Sequence, residues 1–198
     1  MKTRAGLLIL QHPQEQDIDL GTGRLLSLHF DKAVMKVGLS WANLAKALGR
    51  PADPKRWAVL YLGSAKPAAS PGVAVVDRRG EPLDGQAAYL AEIDGLIVLD
   101  GTWSQAKTLW WRNAWLLKCR RIVLTPKGPS RYGKLRKQAR PEGLSTLEAV
   151  AQAMARLERN PDLERPLLAT FEKLIAAFKA PSSVRSAGGG ESDTMSSK

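Results

Sequence analysis

The chain of 198 residues carries 30 Lys and Arg against 19 Asp and Glu, giving a formal charge of +11 and a pI near 10.0. Its 44% hydrophobic and 25% charged residues form an ordinary globular balance, enough to bury about 70% of the unfolded surface, which excludes wholesale disorder. One cysteine, Cys119, and two histidines, His12 and His29, exclude a disulfide framework and a zinc site built on several thiolates, and no apolar run approaches the roughly 20 residues of a membrane span. The expectation is a cytoplasmic protein with no metal and no membrane partner.

Ala5 to Gln11 is a short apolar run closed by the breaker His12-Pro13 and reads as a buried strand. Thr22 is placed to cap a short helix through Leu25, Leu26 and His29. A second strand is expected over Ala33 to Leu39, then a helix from Trp41 to about Leu48, with Ser40 as its cap and Gly49 and Pro51 as its stop. Trp57 to Leu62 is a third apolar run, and Gly63 to Pro82 reads mainly as loop with a short strand at Val73 to Val76. Ile93 to Leu99 is the clearest strand. It runs into Asp100-Gly101-Thr102-Trp103, where Thr102 and Gln105 form a capping box that opens a helix carrying Lys107, Trp111 and Trp115 on neighbouring turns. Arg121 to Thr125 is a further strand, ended by Pro126 and Pro129. Ser145 and Glu148 make a second capping box for a helix to about Arg159, and Asn160-Pro161 opens a last helix that ends before Pro181. Residues 182–198, rich in Ser and Gly without apolar period, read as a disordered tail behind a domain of residues 1–181.

Strands alternating with helices imply an α/β fold: a mostly parallel sheet with helices on both faces, whose ligands gather at the carboxyl ends of the strands. Asp100, Pro126 and the loop before Ser145 fall at such ends. The charge is concentrated too. Between Thr102 and Arg140 stand eleven cations and no Asp or Glu, interleaved with Trp103, Trp110, Trp111, Trp115 and Tyr132, while the rest of the chain balances. Such a window is the footprint of a polyanion. Its aromatics either stack bases or, as tryptophans at helical spacing usually do, pack inward. Gly128 to Leu135 nearly spells a phosphate-cradling loop, but Leu135 stands where a hydroxyl should ligate magnesium, and the basic stretch to Pro141 offers no apolar helix.

Asp100-Gly101-Thr102-Trp103, followed by Ala106 and Lys107, resembles the D-x-T-W signature of the DTW-domain family. Leu10-Gln11-His12-Pro13 with Glu15, then Thr22-Gly23-Arg24-Leu25, is similar to the family's N-terminal block. Arg131-Tyr132, Leu135-Arg136-Lys137 and Leu144 to Ala149 are similar to its C-terminal block, so that the three cover most of Leu7 to Leu157. The cysteine-rich N-terminal segment of many bacterial members has no counterpart in this sequence. The resemblance implies a SPOUT-like fold with a knotted C-terminal region. It also implies a tRNA-uridine aminocarboxypropyltransferase, related to ribosomal-RNA enzymes of the same chemistry. Such an enzyme moves the 3-amino-3-carboxypropyl group of S-adenosylmethionine to N3 of a uridine, expected in the variable loop, releases 5′-methylthioadenosine, and is expected to be a monomer.

The site implied by that resemblance has two catalytic residues, Asp100 as general base or ribose ligand and Trp103 as the aromatic wall that directs the sulfonium. Cofactor contacts are expected at Thr22, Gly23, Asp100, Thr102, Trp103, Leu144, Ser145 and Thr146, because helix N-termini near Thr22 and Ser145 suit the carboxylate of the amino-acid tail. Contacts to tRNA are expected at Lys107, Arg112, Arg131, Lys134, Arg136 and Lys137. Gln11, His12 and Glu15 either line the site or shape the loop, and ordinary alternatives stand beside the rest: Asp100 before Gly101 as a turn residue, Thr102 as a cap only, and Cys119 as a small buried hydrophobe. A SPOUT-type RNA methyltransferase and an RNA-binding module without catalysis are the competing functions, and the coproduct of the reaction separates them.

Overall fold

Alternation along two apolar strands decides the layering. The computed structural model describes residues 1–15, 22–60, 72–125 and 146–179. Their six strands, β1 (Gly6–Gln11), β2 (Ala33–Val37), β3 (Trp57–Leu60), β4 (Gly72–Val76), β5 (Gly95–Asp100) and β6 (Arg120–Thr125), form one sheet in the order β2-β1-β5-β3-β6-β4. Every neighbouring pair is parallel except β4 with β6. The helices are α1 (Thr22–His29), α2 (Leu44–Leu48), α3 (Gln86–Ala91), α4 (Trp103–Arg112), α5 (Thr146–Leu157) and α6 (Glu164–Lys179). The expected α/β class is thus what the chain adopts.

Leu7 and Ile9 of β1 and Leu96 and Val98 of β5 face one core, where Leu26 of α1, Leu90 of α3, Val150 and Met154 of α5 and Phe171 of α6 cover them. Leu8, Leu10, Ile97 and Leu99 face the other, under Leu44 and Ala47 of α2 and Ala106 and Leu109 of α4. Both faces are therefore dry, which is why these strands read as continuous apolar runs. Each buried leucine or isoleucine contributes about 1.5–3 kcal/mol relative to exposure.

Two glycines make room for the centre of the sheet. Gly6, Gly95 and Trp57 are register neighbours on three adjacent strands, and a Cβ on Gly95 would lie 2.5 Å from the Trp57 ring. The indole therefore lies flat across the two glycines. At the same end the Glu158 carboxylate, just beyond α5, accepts from the backbone N–H groups of Arg4 (2.9 Å) and Ala5 (2.8 Å). A twelve-residue helix is about 18 Å long and a six-residue strand about 20 Å. α5 consequently reaches from that end of the sheet to the carboxyl ends of β1 and β5.

Several expectations are corrected. The helix expected from Trp41 begins at Leu44: Asn43 is its cap, its side chain accepting from the Lys46 N–H, while the Ser40 hydroxyl donates to the Arg112 carbonyl at 3.3 Å. Trp115 does not continue α4. Asn113, with φ −121° and ψ 68°, breaks the helix, and Trp115 sits in a 3-10 turn over Ala114–Lys118. The helix expected to reach Arg159 stops at Leu157, and the last helix is preceded by a 3-10 turn, Pro161–Leu163, capped by Asn160. α3 carries no sequence expectation. Gly85 at φ 73° opens it, and the Gln86 side chain both accepts from Val75 N–H (2.7 Å) and donates to Val75 C=O (2.8 Å), closing the open side of β4. The loop from Gly63, the strand ends at Pro126 and Pro129, the Ser145 cap and the 182–198 tail fall, wholly or in large part, outside the described residues. The expected knotted C-terminal region also falls on a stretch that includes residues 126–145, outside them.

Candidate active site

Two adjacent apolar strands end on polar residues. β1 closes with Gln11 and β5 with Asp100, paired in register, and both side chains are almost wholly buried, at 3% and 2% exposure. Gln11 Nε2 donates to Asp100 Oδ2 at 2.9 Å, and the Thr146 hydroxyl, at the first residue of α5, donates to Oδ1 at 2.6 Å. Gly23, the second residue of α1, comes so close that a Cβ there would overlap Oδ2. The carboxylate is therefore gripped by the ends of β1 and β5 and the starts of α1 and α5. Both helix N-termini direct their positive dipole ends toward it, which stabilises the buried charge.

The start of α4 completes the same rim. Thr102 and Gln105 cap it reciprocally: Thr102 Oγ1 accepts from Gln105 N–H at 3.3 Å and Gln105 Oε1 accepts from Thr102 N–H at 2.6 Å. Gln105 Nε2 donates to Gln14 Oε1 at 3.3 Å, tying α4 to the turn after β1. His12, in that turn, donates its backbone N–H to the Asp100 carbonyl at 3.0 Å, so it braces the loop with its main chain. Trp103 stands at the rim, 38% exposed, with Lys107 Nζ 5.6 Å from its ring centroid.

The remaining acceptors decide what the site can hold. Among the described residues each Asp100 oxygen receives one hydrogen bond, which leaves it a second lone pair toward them, and Gln11 Oε1 is buried without a donor. A group rich in O–H or N–H donors, or a cation, matches this set. A phosphate does not, because it would meet a carboxylate at both helix N-termini. For the same reason the tail carboxylate expected at the N-termini of α1 and α5 meets Asp100 already in place there.

A family model described as "DTW domain" matches residues 1–179. The chain belongs to the DTW-domain family. Among curated proteins, tRNA-uridine aminocarboxypropyltransferase 2 of Drosophila melanogaster is 31% identical over 172 residues, 85% of this chain and 62% of its own length. The proteins of the same name from Macaca fascicularis and Mus musculus are 31% and 30% identical, over 86% of this chain and 53% of theirs. The chain thus spans somewhat more than half the length of these DTW relatives. No solved structure matches it.

Within this DTW chain, the structure brings together Asp100, Gly23 and Thr146 of the expected site, with Thr102 and Trp103 on the adjoining rim. The backbone of Thr22 opens α1 beside them, while Leu144 and Ser145 lie outside the described residues. Of Gln11, His12 and Glu15, which the expectation left open between lining the site and shaping the loop, Gln11 is a direct partner of Asp100; a polar side chain closing an otherwise apolar strand is its signal. Glu15 is buried in the turn after β1. Lys107 and Arg112 are exposed on α4, whereas Arg131, Lys134, Arg136 and Lys137 lie outside the described residues. Two other cations of the basic window are tied into the fold. Arg120 donates to Glu92 at 2.5 Å and lies over the Tyr89 ring, and Arg121 donates to the Arg78 carbonyl and lies over Trp110. Cys119 is buried, its thiol pushed up to about 12 by desolvation and then by Asp53, so it is inert as a nucleophile at neutral pH. Among the described residues no group of three His, Cys, Asp or Glu could hold a metal ion, and no helix is long and apolar enough to cross a membrane.

Proposed function

We propose that this chain is a tRNA-uridine aminocarboxypropyltransferase that uses S-adenosylmethionine as donor and modifies uridine N3 in the tRNA variable loop, acting as a cytoplasmic monomer. The observation that carries the reading is the similarity to three relatives of that name across 85–86% of this chain, whose Asp100 is a buried carboxylate held by Gln11 and Thr146. S-adenosylmethionine, when bound, supplies the 3-amino-3-carboxypropyl group and leaves as 5′-methylthioadenosine. Its ribose hydroxyls, ammonium and sulfonium are the donors and cation that a buried carboxylate beside an open amide oxygen favours.

Asp100 acts here as a holding group. Its burial and its hydrogen bonds from Gln11 and Thr146 fix the carboxylate in one orientation, so it meets a ligand without reorganisation. Gln11 orients it through Oδ2 and Thr146 through Oδ1. Gly23 admits the approach of α1 because it has no Cβ. Trp103, at the rim of the same site, would wall the donor and so favour attack at the propyl carbon over the methyl.

The test is a transfer assay on tRNA with two labelled donors. Carboxyl label is expected in the RNA and 5′-methylthioadenosine in solution. Methyl label in the RNA with S-adenosylhomocysteine as coproduct would replace this reading with a methyltransferase, and binding with no coproduct would replace it with an RNA-binding module.

A further inference from the structure

One face of α4 points to water and is unusually aromatic. Ala106 and Leu109 bury the opposite face, while Trp103, Lys107 and Trp111 follow each other at four-residue spacing on the exposed one. Trp111 is 79% exposed. Its neighbours in this segment are placed differently: Trp115 is buried and its Nε1 donates to the Trp41 carbonyl, and the Trp110 ring is covered by Arg121. The expectation of inward packing therefore fails most completely at Trp111. Leaving an indole in water forfeits its burial, which the fold provides for its neighbours.

Position and charge say what this face meets. α4 starts three residues after Asp100, so the stripe leads outward from the candidate site. Trp103 and Trp111 are eight residues apart, about 12 Å along the axis, the length of three to four stacked nucleotides. The charged residues of α4 are Lys107 and Arg112, and from Thr102 to Arg140 there is no Asp or Glu. Exposed Ser104 and half-buried Thr108 lie beside the stripe, so the face lacks the broad apolar arc by which a helix lies in a membrane.

We propose that Trp111 is a stacking platform for an unpaired nucleotide of the RNA substrate, a few nucleotides from the uridine presented at Asp100, with Lys107 on the intervening phosphates and Arg112 on a phosphate beside the platform. The inference rests on the RNA substrate proposed above and adds where a second nucleotide is held. A stacked base contributes affinity through its π-face and is indifferent to salt, whereas phosphate contacts weaken steeply as salt rises. This difference is the signature by which the two kinds of contact are told apart.

The experiment compares the full chain with its Trp111→Ala and Trp111→Phe variants for binding to a tRNA transcript at 50 and 200 mM salt. Donor affinity, thermal unfolding and the mass of the free protein are measured alongside. Trp111→Ala should weaken tRNA binding about 5- to 150-fold at both salts with a parallel salt slope. Donor affinity and melting temperature should be unchanged, and Trp111→Phe should recover most of the loss. Unchanged tRNA affinity overturns the platform, as does a loss expressed as a flatter salt slope or one that phenylalanine does not restore. A change in the mass of the free protein with tRNA affinity intact assigns the face to a second copy of the chain instead. A wild-type chain that binds tRNA but transfers nothing refutes the proposed reaction and leaves the platform standing; one that binds no tRNA refutes both.

Discussion

Gln11 and Asp100 end neighbouring parallel strands as register partners, and the Gln11 amide donates to the Asp100 carboxylate at 2.9 Å. Register in a parallel sheet is held by the buried apolar pairs beneath it, here Leu7 with Leu96 and Ile9 with Val98, because a one-residue slip would turn those side chains to the other face. The polar pair at the top is thus fixed by packing some way below it.

Asp100→Asn should keep the fold and lose the donor. Asparagine retains the hydrogen-bonding capacity, since the Gln11 amide can turn over and the Thr146 hydroxyl can rotate, but the charge disappears. A charge-assisted hydrogen bond contributes about 1.5–3 kcal/mol, so calorimetry should show donor affinity at least roughly tenfold weaker. Lost turnover with unchanged donor affinity would instead assign Asp100 to proton removal. Gly23→Ala should mimic the loss, because its Cβ would force Oδ2 from its place.

Asn113→Ala should be among the most destabilising single changes. The buried Asn113 amide donates to the Leu39 (3.0 Å) and Leu109 (2.8 Å) carbonyls, and its oxygen accepts from Trp41 N–H (2.9 Å) and Trp115 Nε1 (3.2 Å). Alanine strands buried partners of one side chain at once, at about 1–3 kcal/mol for each left unsatisfied. Urea unfolding should show a loss of about 3 kcal/mol or more; a loss below about 1 kcal/mol would mean that water replaces the amide.

The Cys119 thiol should resist alkylation in the native protein at pH 8 and react fully once the chain unfolds. Its pKa is raised from 9.0 to about 12 by burial, so at pH 8 the folded thiol keeps its proton, whereas about a tenth of the unfolded thiol is reactive thiolate and is replenished as it reacts. Stability from this group is present below the unfolded value and falls as pH rises from about 9 toward 12. Rapid labelling without unfolding would show the thiol to be accessible.

Replacing Arg131, Lys134, Arg136 and Lys137 together by alanine should flatten the salt dependence of tRNA binding and leave donor affinity intact. For every phosphate that is no longer neutralised, the slope of log affinity against log salt falls by about 0.9 in a duplex. A slope equal to that of the wild type would remove this segment from the RNA surface.

Local sequence was enough for the strands and the α/β class, because both faces of β1 and β5 are buried and such strands appear as unbroken apolar runs between turn residues. It was enough, too, for the capping box at Thr102 and Gln105 and for the DTW signature, which are patterns of a few neighbouring residues. The site itself came from distant parts of the chain meeting. That Gln11, Gly23 and Thr146 converge on Asp100 depends on β1 and β5 lying side by side, although 89 residues separate Gln11 from Asp100. The break at Asn113 depends on carbonyls and an indole that only the fold brings to its amide, and it is this break that buries Trp115 and leaves Trp111 in water. Helical spacing placed the two tryptophans on one helix face, and long-range hydrogen bonds, which leave no trace in local periodicity, end the helix between them, burying Trp115 in a 3-10 turn and leaving Trp111 in water.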